Sequence, residues 1–302
     1  MSRSLTSCVL LTTLLLSSTA LFAAPPSSQP TDAKKKIVLI AGKKSHGPEG
    51  NGEHDYNWSV RLIKVMLDRS NVRDKVAVTY FMNGWPTDQS SLETADTIMI
   101  ISDGRDGDAY SETLYLANDD RIAFVEKQMK RGCGLVTFHF STFVTEKYRD
   151  YALRWNGGYF QWETDGKKNW YSAIKTLQAK VEPATPSHPI LKGVEPFTLN
   201  KEEFYFNLRF NPDDKRTVPI LTVPVLNGRA PDGNTVAWAR DREDTGRGFG
   251  TSTGHFYENW KNDQFRKVIL NAIAWTAKVE IPEGGVTSEF FDHEAITKAL
   301  TP

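Results

Sequence analysis

The chain has 302 residues, and its 37 lysines and arginines are matched by 37 aspartates and glutamates, so no basic excess attracts nucleic acid or anionic lipid. Its length is ample for one large domain with insertions. Of the two cysteines, Cys8 falls in an apolar leader and Cys133 stands alone in the remainder, which excludes an intramolecular disulfide.

Residues 1–24 read as a secretory signal peptide: Arg3, the apolar run Val9–Leu16, then Ala20, Ala23 and Ala24 ahead of Pro25-Pro26. This predicts an exported protein, periplasmic or extracellular, with no membrane contact once the leader is cleaved. The apolar run falls short of the roughly 20 residues a spanning helix needs, and Cys8 precedes it, which argues against lipidation there. Residues 25–35 form a Pro/Ser/Gln/Lys linker, 36–279 a folded domain, and 280–302 a polar tail.

The apolar run Ile37–Ala41 is the first buried strand, followed by a glycine- and histidine-containing loop with His46 and His54. The glycines of that loop do not fit the dinucleotide pattern G-x-G-x-x-G. A helix from about Trp58 to Leu67 follows, then strands Val76–Phe81 and Thr97–Ile101, the latter ending in the polar turn 102–108 with Asp103 and Arg105. That turn resembles a calcium loop in composition only, because the position of the bidentate glutamate is taken by Leu114. A helix over Asp119–Lys130 leads through Gly132 to Leu135–Phe138, a run without polar alternation, the pattern of a central strand buried on both faces. His139 stands where this strand stops, the edge at which open α/β sheets bind ligands, although a lone histidine after a strand is more often structural.

Regularity then breaks: 148–170 is aromatic and glycine-rich, and reads as an irregular insertion, either a substrate wall or a packed loop. Ile174–Val181 alternates as a strand, and His188 beside Pro189 reads as structural. The segment Leu199–Phe206 places Glu202 and Glu203 among aromatics. Pro219–Leu226 and Thr235–Ala239 are further strands, the prolines placing the first near an edge. A small-residue strand, 246–255, ends in His255, and a helix carries Phe265, Val268, Ile269, Ala272 and Ile273 at 3.6-residue spacing.

In a parallel α/β sheet the positions of His46, His54, His139 and His255 converge on one edge, joined by Asp103, Arg105 and Glu202 or Glu203. Imidazoles beside carboxylates serve either proton transfer or divalent metal binding, and the residue types leave both open. The motifs Ser45-His46-Gly47-Pro48, Gly52-Glu53-His54-Asp55-Tyr56, Gly134 to His139, Glu202-Glu203-Phe204-Tyr205 and Gly246 to His255 together resemble the ThuA-like (trehalose utilisation) family over Lys36–Ala277.

The resemblance implies a class I glutamine amidotransferase-like, flavodoxin-like fold with a doubly wound, mostly parallel sheet, whose amidotransferase triad is lost. An amidotransferase needs a cysteine on the elbow after the central strand, where this chain has His139 and Phe140. His255 matches the old triad histidine, with Phe256-Tyr257-Glu258 after it in place of a compact His-x-Glu pair, and Glu203 matches one member of the family's acidic pair. A longer side chain at Glu202 argues against a defined role for it.

Members are associated with disaccharide and keto-sugar metabolism. The expectation is an exported carbohydrate-active hydrolase, lyase or isomerase, with His139, Glu203 and His255 catalytic. His46, His54, Asp103, Arg105 and Tyr205 are its substrate-binding groups, and His46, His54, His139 and His255 are the ligands if a divalent metal such as zinc takes part. The partner is a small carbohydrate. The alternative is a noncatalytic sugar-binding module, with assembly into a homo-oligomer through the same edge ranked last.

Overall fold

The computed structural model describes residues 33–44, 46–104, 113–161, 163–164, 167–168 and 171–301. The expected leader, the linker up to residue 32 and Arg105 lie outside these. The sheet is built from β1 (Lys35–Ala41), β2 (Val76–Phe81), β3 (Thr97–Ile101), β4 (Gly134–Phe138), β5 (Ala173–Pro183), β6 (Phe197–Phe206), β7 (Thr217–Thr222), β8 (Thr235–Asp241) and β9 (Arg247–Thr251). Its strand order is β2-β1-β3-β4-β9-β8-β7-β5-β6. The pairs among β2, β1, β3, β4 and β9 are parallel, and from β9 outward every pair is antiparallel.

The apolar runs of the parallel core follow from its two covered faces. Along β1, Ile37 and Leu39 face one core while Val38 and Ile40 face the other. On the first face Val60, Ile63 and Leu67 of α1 (Tyr56–Asp68) join Val268, Ile269 and Ala272 of the long C-terminal helix Asp263–Thr276. On the second, α2 (Asp119–Lys130) contributes Ile122, Val125 and Met129. At about 25 cal/mol per Å² of apolar surface, burial of this size is the main force holding the sheet edge in place.

Four expectations are corrected. The insertion 148–170 holds a regular element, α3 (Arg149–Trp155), whose seven residues bury only Ala152 and Trp155, too short a stripe to display a helical period. The strand read over Pro219–Leu226 ends at Thr222, and Pro224–Leu226 form a 3-10 turn. Nor is β7 at an edge: it lies between β8 and β5, but β5 pairs only with Leu221 and Thr222, so the missing N–H of Pro219 falls where no second neighbour requires it. The small-residue strand likewise stops at Thr251, four residues before His255.

The C-terminal residues pack on the domain. With α4 assigned to Asp263–Thr276, α5 (His293–Leu300) buries Ile296 against the core, and the His293 ring stacks on Trp58 at 3.7 Å between centroids.

Candidate functional site

Strand β4 is buried throughout and delivers the chain to the carboxyl edge of the sheet at Phe138. His139 follows with φ 51°, left-handed backbone that costs a non-glycine residue about 1–2 kcal/mol. The turn is held by Ser141, whose hydroxyl accepts from Phe138 N at 2.8 Å and lies 3.1 Å from Ile100 O. This elbow projects the imidazole off the edge. Nδ1–H of His139 donates to Ser252 O at 2.8 Å, so the Nε2 lone pair of the neutral ring faces the neighbouring loops.

The loop after β1 brings His54, also left-handed at φ 48°. Its shape depends on Asp55, whose carboxylate accepts from Gly50 N at 2.8 Å and Gly52 N at 2.7 Å and is ion-paired with Lys44. His54 N donates to His255 O at 3.0 Å, and Tyr257 N to Gly52 O at 2.8 Å, stitching this loop to the one after β9.

Alternation along β6 directs Glu203 and Tyr205 to one side and Glu202 to the other. Glu202 is fully buried, and its carboxylate accepts from Glu203 N at 2.8 Å, Gly254 N at 2.9 Å, His255 N at 3.1 Å and Asn259 Nδ2 at 2.8 Å. The His255 loop is therefore folded around Glu202. Gly254, at φ 114°, closes that turn where a Cβ would overlap the Phe138 ring.

At the centre, His139 Nε2 lies 3.0 Å from His54 Nε2, 3.2 Å from His255 Nδ1, 2.7 Å from Tyr205 OH and 3.6 Å from Glu203 Oε2. Glu203 Oε2 is 3.1 Å from His255 Nδ1 and accepts from Tyr205 OH at 3.1 Å. Donor atoms of His54, His139, His255 and Glu203 all lie within 4.8 Å of one another. His46, His54 and Asp103 make a second such set: His54 Nδ1 is 2.9 Å from His46 Nδ1 and 3.8 Å from Asp103 Oδ1, which accepts from Tyr56 OH at 2.6 Å.

Burial first, and then the neighbouring imidazoles, hold His54 well below the usual histidine range. Burial also lowers His139, against the opposing hydrogen bond of Glu203. For Glu203 burial acts upward, but the neighbouring imidazoles of His139 and His255 overcome it and keep the carboxyl ionised. The result is neutral imidazoles at His54 and His139 beside a carboxylate, the protonation states in which these groups donate lone pairs.

Of the residues singled out in the sequence, His46, His54, Asp103, His139, Glu203, Tyr205 and His255 are brought together; Arg105 lies outside the described residues. Glu258 forms an ion pair with Lys261 and is not hydrogen-bonded to His255. His188 is structural, its Nδ1 accepting from Ile190 N at 3.2 Å. One expectation, about an acid, changes. Glu202, read as lacking a defined role, is the group that orders the His255 loop, because the extra methylene lets it reach Gly254 N and Asn259. Cys133 precedes β4, at the opposite end from His139, and burial pushes its thiol up to about 12, so it supplies no thiolate. Sequence reasoning missed Asp55, held by backbone amides and Lys44, Ser252, which acts through its carbonyl, and Asn259, whose side-chain amide donates to Glu202; only Asp55, directly after a glycine-rich loop, carried a signal.

The family model described as "Trehalose utilisation" (ThuA) matches residues 45–276. Among solved structures, a ThuA-like protein from Parabacteroides merdae aligns with TM-score 0.54 and 13% identity, covering 85% of this chain and 98% of that one. Another from Bacteroides uniformis aligns with TM-score 0.53 and 16% identity, covering 84% and 95%. A glutamine amidotransferase from Thermotoga maritima aligns at TM-score 0.41 with 9% identity, covering 82% and 99%. No curated protein matches the sequence at a significant level. The fold is that of the two ThuA-like proteins, and the chain belongs to the ThuA family.

Proposed function

We propose that this chain is an exported enzyme of disaccharide or keto-glycoside metabolism, working at the carboxyl edge of the sheet with a divalent cation such as zinc held by His54, His139, His255 and Glu203. The single observation behind the cation is the crowding at His139 Nε2. With Nδ1–H committed to Ser252 O, Nε2 has one lone pair, yet His54, His255 and Tyr205 all present atoms to it within 3.2 Å. One lone pair accepts one proton, so hydrogen bonding at Nε2 uses only one of these three approaches, whereas a cation takes lone pairs from His54, His139 and His255 together. A tetrahedral zinc with ligand bonds of about 2.0–2.1 Å sets its ligand atoms about 3.3 Å apart, close to the 3.0, 3.2, 3.1 and 3.6 Å separations found. A bound cation supplies Lewis acidity toward a sugar carbonyl or hydroxyl.

The protein's own groups have separate tasks. Ser252 O fixes the His139 tautomer, as the outer partner of a ligating histidine does. Glu202 sets the position of His255. Tyr205 OH, 2.7 Å from Nε2 and 3.1 Å from Glu203, is the mobile proton at the centre. Glu203, with its side chain 23% exposed against 0% for His139, is the member that a sugar reaches first.

The test is to screen disaccharides and their keto-glycoside forms with purified protein, with chelator and with added zinc. Turnover should disappear with chelator and return with zinc, and His139→Ala should lower kcat by a factor of about 10² to 10⁴. Turnover indifferent to chelator would assign proton transfer to His139 and Glu203 without a cation. Thermal stabilisation by a sugar with no product under any metal condition would replace the enzyme by a noncatalytic sugar-binding module.

A further inference from the structure

Beside the histidine cluster, where the strand order reverses between β1 and β3, lies a cavity of about 400 Å³. Gly42 and Lys43 line it from the end of β1, Ser102 and Asp103 from the end of β3, Trp85 from the loop after β2 and Arg121 from α2. Asp103 belongs to both places, since its carboxylate accepts from Tyr56 and stands 3.8 Å from His54 Nδ1. A ligand filling the cavity therefore borders the cluster.

The lining is rich in donors that lack acceptors. Arg121 lies over the Trp85 ring at 4.2 Å and gives one N–H to Leu114 O at 2.9 Å. Burial lowers its guanidinium pKa, yet among the described residues no carboxylate pairs with it, and the same holds for Lys43. The indole N–H of Trp85 is buried with no acceptor. Asp103 is the acid of the lining, and it is already engaged by Tyr56. Among the described residues neither cation is ion-paired and the buried indole N–H has no acceptor, so the groups left to be satisfied are donors, and oxygens carrying negative charge satisfy them best.

We infer that this cavity takes the anionic end of a sugar ligand, a carboxylate or a phosphate, whose carbon skeleton runs past Asp103 toward the histidine cluster. The anion site stands on its own lining; only the direction of the skeleton rests on reading the cluster as a sugar-processing centre. Calorimetric titration of the whole protein with glucuronate, glucose 6-phosphate, inorganic phosphate and glucose, each with and without chelator, separates the two.

Glucuronate or glucose 6-phosphate should bind under both conditions while glucose does not, and Arg121→Gln and Lys43→Met should each weaken that binding by about tenfold. Lys43 is exposed in a loop, so its variant folds whatever the fate of the Arg121 variant. Inorganic phosphate binding as tightly as glucose 6-phosphate would overturn the sugar skeleton. Glucose binding as tightly as glucuronate, binding abolished by chelator, or affinities unchanged in both variants would overturn the anion site.

Discussion

Residue 202 separates two meanings of a buried carboxylate. Burial outweighs four hydrogen-bond donors and pushes Glu202 up to about 7, and three of those donors, Gly254 N, His255 N and Asn259 Nδ2, belong to the segment that carries His255. Glu202→Gln keeps the volume but turns an N–H toward amides that need an acceptor, so it should cost about 1–3 kcal/mol in denaturant unfolding. An unchanged midpoint would mean that the loop is held by something else. Gly254 is the companion case. Gly254→Ala places a methyl against the Phe138 ring on a left-handed backbone, and should destabilise by about 2 kcal/mol or more; a cost below about 0.5 kcal/mol would contradict the close approach. Neither requirement is visible in the sequence, because an acceptor for backbone amides leaves no mark beyond one acidic letter.

At the scale of elements, the central parallel strands were legible because burial on both faces removes polar alternation, and β3 and α2 run over the residues their patterns mark. Where a strand is half covered or interrupted, the pattern lost its meaning: Pro219 reads as an edge signal, yet β7 is interior and merely outlasts its neighbour. The turn His188–Leu191 shows how local chemistry adds pH dependence. The His188 ring lies edge-on to Trp275 at 4.8 Å, and burial lowers its pKa to about 4. Between about 6.5 and about 4 the unfolded chain binds a proton that the folded chain refuses, so this contribution to stability is present above that window and is lost as pH falls through it. Denaturation at pH 7 and pH 4.5 should therefore show a smaller loss for His188→Asn than for the wild type, and equal losses would remove His188 as the cause.

At the scale of the molecule, four segments far apart in sequence meet at one edge: the loop after β1, the elbow after β4, strand β6 and the loop after β9. The rule that ligands bind at the carboxyl ends of parallel strands was enough to gather the histidines, because β1, β4 and β9 are parallel and all end there. It could not place Glu203, which arrives on the outermost antiparallel strand, beyond the reach of any parallel-sheet rule. Nor could it separate the inner set of His54, His139, His255 and Glu203 from the outer pair His46 and Asp103, a distinction made by the two nitrogens of His54. The central claim is that the inner set is a cation site, and metal content with ligand spectroscopy tests it most directly. After zinc loading and dialysis, the protein should retain about one zinc per chain, with X-ray absorption reporting nitrogen and oxygen ligands at about 2.0–2.1 Å, and His139→Ala should lose it while staying folded. A wild-type protein that keeps no zinc, or a His139→Ala variant that keeps as much as the wild type, would contradict the account.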